Sequence, residues 1–132
     1  MPSETRELGA GVFDGKLIQR AAITGIALQV TMVVVGHYVP WVRLNFYEFG
    51  AMMFAGLAGL FYARDYGKGY ARGALGGAIA GGTSGIIGIS LANILGDVAL
   101  VVLPFGAALT ILTGAIGGLF GQMGANIRKL SA

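Results

Sequence analysis

Four side chains in this chain, His37, Arg43, Glu48 and Asp97, are of types that could gather into a proton or metal site. Imidazole titrates in the physiological range, and an imidazole with two carboxylates offers nitrogen and oxygen ligands to a divalent ion. The simpler expectation is that the four are solvated groups at helix ends, with Arg43 paired to Glu48. Either arrangement requires the elements that carry them to bring them to one side of the molecule.

A second group, Gln29, Thr83, Ser90, Asn93 and Asp97, could line a path for a small solute. Thr83, Ser90 and Asp97 are spaced by sevens, which on a helix keeps them on one side, with Asn93 at its edge. Their hydroxyls can equally bond a carbonyl one turn back and need no pore. A third group, Lys68 and Arg72 beside Tyr66 and Tyr70, has the composition to hold anionic lipid headgroups. A basic loop of this kind also simply records membrane topology.

Enzymatic signatures are missing from the sequence: there is no His-Glu-x-x-His, no Gly-x-Ser-x-Gly, and a single histidine. The segment from Gly11 to Leu17 has the flavour of a phosphate loop but lacks its spacing and its magnesium-binding hydroxyl. With no cysteine, disulfides and cysteine-ligated metal centres are excluded. The expectation is therefore a non-enzymatic protein with no cofactor and no bound metal.

The elements that must position these residues are membrane spans. Of the 132 residues 55% are hydrophobic and 11% charged, and the mean hydropathy is +0.75. That is too apolar for a soluble domain, whose surface would need more polar cover. Four spans are expected, at about 17–42, 46–63, 73–96 and 98–123, within a membrane domain over 17–129. An interfacial or flexible arm over 1–16 precedes it and a short tail, 130–132, follows. Pro40 is expected to end or kink the first span, and Tyr38 and Trp41 suit the interface. The bulky, β-branched middle of the first span marks it as the best lipid-facing candidate. Phe46, Tyr47, Phe61 and Tyr62 read as aromatic belts on the second. Small multidrug exporters are similar in length but carry a membrane-embedded glutamate in their first helix, which this chain lacks, and no family is assigned.

Glycine dominates the third span. Gly73, Gly77, Gly81 and Gly85 recur every four residues, and Gly88 continues the stripe. A glycine here costs roughly 1 kcal/mol of helix propensity in water, but in a bilayer it admits a neighbouring backbone at close range. Ala51, Ala55, Gly59 and Ala63 form a second stripe, and Gly106, Thr110, Gly114 and Gly118 a third. The pattern predicts an all-α integral membrane protein packed as a glycine zipper, with the third helix central or at a subunit contact.

Lysine and arginine set the orientation. Eight of the nine flank the amino terminus, the middle loop and the carboxyl terminus, and only Arg43 lies in the other two loops. The positive-inside rule then puts both termini in the cytoplasm, in a bacterial inner membrane. The same placement at span ends argues against nucleic acid as a partner. Three small-residue stripes on so short a chain suggest a homo-oligomer, or an accessory subunit of a larger membrane complex, as the function. The alternative is a small channel or transporter whose path follows the third helix.

Overall fold

The computed structural model describes residues 15–131, and these form four helices: α1 (Gly15–Tyr38), α2 (Pro40–Tyr66), α3 (Tyr70–Ile94) and α4 (Val102–Ser131). The expected arm lies outside the described residues except for Gly15 and Lys16, which open α1, and Ala132 of the tail also lies outside them. All four helices are long and apolar enough to cross a membrane. At 1.5 Å per residue, the 30 residues of α4 reach about 45 Å, well past a hydrocarbon core of about 30 Å.

The turns between helices follow from local chemistry. The first helix ends at Tyr38, just before Pro40, as expected, and Pro40 is also the first residue of α2, where its missing N–H would have had no helical partner. Val39 alone separates α1 from α2, so the first hairpin is very tight and Trp41 belongs to α2. Gly67, at φ 64°, closes α2 by donating its N–H to the Ala63 carbonyl at 2.8 Å. At the end of α3, Gly96 takes φ 80° and donates to Asn93 O at 3.0 Å, while Asp97 N donates to Ala92 O at 2.9 Å. These paired bonds form a Schellman motif. Pro104 falls within the first turn of α4, where it interrupts no helical bond.

The helices run up and down, so α1 parallels α3 and α2 parallels α4. One end of the bundle carries Lys16, Arg20, the 67–69 turn and the end of α4, and is termed the basic end. The far end carries the α1–α2 junction and the 95–101 turn. Helices α2, α3 and α4 pack against one another, and α1 packs on α2 and α3.

Small residues make these contacts possible. A Cβ on Gly77 would meet the Gly114 carbonyl, and one on Gly81 would stand 2.7 Å from Gly114 Cα and from Ala55 O. Gly59 and Gly56 of α2 likewise meet the backbones of Gly114 and Gly117 in α4. Gly73 and Gly118 face each other nearer the basic end, while Gly85 makes room for Thr110 and Gly106 for Ile89. Ala51, Ala55, Gly59 and Ala63 are all buried.

Two expectations about faces change. The side of α3 opposite its glycines is not a polar interior: Thr83 is exposed among Ile79, Ile86 and Ile87, which gives α3 a lipid face although it is the most buried helix. Tyr47 and Tyr62 do not join aromatic belts but turn inward, over Gly36 and Gly76, whose missing side chains leave space for the rings. Tyr38 and Trp41 are exposed at the far end, as the interface reading expects.

Candidate functional site

The far end holds a polar cluster built by three elements. The Schellman turn at Gly96 carries Asp97 over the bundle, and Asn93 Nδ2 braces that turn by donating to Val98 O at 3.1 Å. The Asp97 side chain is only 6% exposed and accepts from several sides. His37 Nδ1 lies 3.0 Å from its Oδ2, and Arg43 Nη1 donates to its Oδ1 at 3.3 Å. The Tyr47 hydroxyl, bonded to Val33 O at 2.8 Å, also reaches Oδ2 at 3.3 Å. Arg43 Nη1 further contacts His37 O at 3.4 Å, closing the ring of contacts between α1, α2 and the 95–101 turn.

Of the four residues singled out at the start, three therefore converge. Glu48 does not join them: it is exposed on α2 and makes no hydrogen bond or ion pair among the described residues. The expected Arg43–Glu48 pair is replaced by Arg43–Asp97, because Asp97 is held over the α2 amino terminus. Among the described residues no three His, Asp or Glu side chains come close enough to share a metal ion. The cluster ties helix ends together and brings one buried carboxylate to the wall of a cavity.

That cavity, of about 610 Å³, opens at the far end between α2 and α4. It exists because α2 and α4 touch through glycines near mid-bundle and towards the basic end, then separate where bulkier residues replace them. Leu44, Glu48 and Met52 of α2 face Val102, Phe105 and Leu109 of α4 across the gap. Gln29 and Thr110 lie at the closed end, both buried. Gln29 Nε2 donates to the Ala51 carbonyl at 2.9 Å, and Thr110 Oγ1 bonds Ala107 O at 3.1 Å. Asp97, Arg43 and Tyr47 stand at the mouth. The volume falls within the roughly 300–1,000 Å³ of small-molecule sites.

The proposed path along α3 is divided by this geometry. Gln29 and Asp97 reach the cavity; Thr83 faces outward, and Ser90 and Asn93 lie off its wall. The buried hydroxyl of α3 is instead Ser84, packed where Gly25 of α1 and Ala58 of α2 leave room and bonded to Gly81 O at 2.9 Å. Towards the basic end the glycine contacts close the bundle.

At the basic end Lys68 and Arg72 are both exposed, with Lys68 Nζ 5.6 Å from the Tyr66 ring centroid. Two residues without a sequence signal organise this end. Gln122, buried in α4, accepts from Gly69 N at 3.0 Å and donates to Asn126, which donates to the Tyr70 hydroxyl at 3.2 Å. Lys129 adds a bond to Gly67 O at 3.0 Å, so the end of α4 clamps the turn between α2 and α3.

Compared with protein-family models, with curated proteins and with solved structures, the chain finds no match.

Proposed function

We propose that this is a non-enzymatic integral membrane protein that holds a small molecule in the cleft between α2 and α4, as the binding step of a small transporter. The observation that carries the reading is the asymmetry of the bundle. It is closed by backbone contact between Gly59 and Gly114 at mid-depth, yet open as a cavity of about 610 Å³ at the far end. The glycine stripes act as an internal glycine zipper and hold one half shut. Passage across the membrane would require those contacts to part, so the conformation fits a carrier better than an open channel.

In this reading both termini are cytoplasmic in a bacterial inner membrane, and the cleft faces away from the cytoplasm. The distribution of charge supports it: among the described residues, seven lysines and arginines lie at the basic end and Arg43 alone at the far end. Self-assembly and service as an accessory subunit have less support, since the small-residue faces that motivate them are largely covered by one another within the chain.

Native mass spectrometry of protein gently extracted from its own membrane tests the proposal. The expected species is one chain of 13.5 kDa with a non-covalent small-molecule adduct. The adduct should be lost when Met52→Trp and Leu109→Trp fill the cleft from both walls. A bare chain would overturn the binding reading, and co-purifying larger chains would favour the accessory-subunit one.

A further inference from the structure

The cleft is open along its side as well as at its end. Its rim residues are strongly exposed, Leu44 at 79%, Phe105 at 69% and Leu109 at 45%, and α2 and α4 are separated there by a gap. From Val102 to Thr110 the α4 wall runs about 12 Å, close to the roughly 15 Å of hydrocarbon in one leaflet. Apart from Glu48 its walls are apolar, and the buried polar atoms at its closed end are already bonded within the protein. Such a space, opening sideways at hydrocarbon depth, suits an alkyl chain better than a hydrated solute.

The cleft carries charge of both signs in a specific state of pairing, Arg43 at the mouth and Glu48 about 7.5 Å further along α2 on its wall. Both Arg43 contacts run through Nη1, which leaves Nε and Nη2 as donors for a further acceptor. Glu48, exposed on the α2 wall, has no partner among the described residues. A phosphate beside Arg43 and an ammonium beside Glu48 would complement the two, and a headgroup holding both on one short linker would satisfy them together.

Resting on the proposed function above, we infer that the occupant is a phospholipid with an ammonium headgroup. One acyl chain lies between α2 and α4, the phosphate meets Arg43 and the ammonium meets Glu48. The ligand therefore enters from the bilayer, between two helices, and not through an aqueous vestibule.

The test uses the full chain in nanodiscs of equal parts phosphatidylethanolamine and phosphatidylglycerol, with retained lipid identified by native mass spectrometry. The expected result is one retained phosphatidylethanolamine per chain, favoured over phosphatidylglycerol roughly two- to five-fold, the range of a solvent-exposed ion pair. Glu48→Gln should abolish that preference while total retention persists; Glu48 has no partner among the described residues, so folding should be unaffected. Met52→Trp with Leu109→Trp should remove retention of either lipid. Retention without headgroup preference, or a preference unchanged in Glu48→Gln, overturns the inference. An adduct from native membrane that is not a phospholipid also overturns it while leaving the binding function standing. Absence of any adduct in both experiments overturns both.

Discussion

Gly88 of α3 and Gln29 of α1 are fitted to each other: a Cβ at residue 88 would stand 2.8 Å from Gln29 Cβ and 3.0 Å from its Oε1. The absent side chain is what allows a buried amide to reach across to the Ala51 carbonyl on α2. One glycine thus lets three helices share a polar contact at the closed end of the cleft. In a membrane such an interhelical bond contributes on the order of 1 kcal/mol.

Gly88→Ala should consequently destabilise the bundle by about 1–3 kcal/mol through overpacking. Gln29→Ala should cost about as much. The double variant should cost less than the sum of the two, because the shortened side chain removes the contacts with Oε1 at 3.0 Å and Cδ at 3.3 Å, while the one with Cβ at 2.8 Å stays. Thermal unfolding of the four proteins in one detergent measures the coupling, and strict additivity would show that the two positions do not meet.

Glycines that touch backbone should behave differently from glycines that touch nothing. Gly77 faces the Gly114 carbonyl and Gly118 Cα, whereas a Cβ on Gly124 would meet nothing within 4 Å. Gly77→Ala should destabilise by about 1–3 kcal/mol, and Gly77→Leu should prevent folding. Gly124→Ala should be neutral or stabilise by up to about 1 kcal/mol through helix propensity. Equal effects at 77 and 124 would contradict the close approach of α3 and α4.

These contrasts mark how far the sequence could be read. Four spans and three small-residue stripes are visible because spacing alone defines a helix face. The sequence does not say what covers each face. It puts Thr83 and Ser90 inward because polar groups usually avoid lipid, yet Ser84 is the buried hydroxyl, one position round the helix, where Gly25 and Ala58 make room. Pro40 reads as the end or a kink of the first helix; that it also opens the second follows from the tightness of the first hairpin. Topology puts His37, Arg43, Glu48 and Asp97 on one side, but which of them converge depends on side-chain direction, which brings in the first two with Asp97 and leaves Glu48 out. Gln122 and Asn126 carry no pattern at all, since their partners lie in a turn more than 50 residues earlier.

Gly96 should be sensitive to backbone conformation and not to space. Nothing lies within 4 Å of an added Cβ there, but its φ of 80° is in the left-handed region. Gly96→Ala should cost about 1–2 kcal/mol, Gly96→Asn less, and Gly96→Val more. Amide hydrogen exchange should quicken at Asp97, whose N–H is held only by the Schellman bond to Ala92. Equal stability of the alanine and valine variants with the parent would exclude the left-handed turn.

Asp97 should be coupled to Arg43 and not to Glu48. The carboxylate is nearly buried, with Arg43 and His37 on one side and the Tyr47 hydroxyl on another. Asp97→Asn keeps the shape of the side chain but removes the charge, leaving Arg43, itself partly buried, without its counterion. Loss of one member of such a pair should cost on the order of 1–3 kcal/mol. Arg43→Gln alone should cost a similar amount, and the double variant should show a coupling of about 0.5–3 kcal/mol. A parallel cycle between Asp97→Asn and Glu48→Gln should be additive within about 0.5 kcal/mol, because Glu48 makes no contact with the cluster. Chemical denaturation in detergent resolves differences of this size. Coupling in the Glu48 cycle with none in the Arg43 cycle would contradict the seat of Asp97 against Arg43 and of Glu48 apart from the cluster.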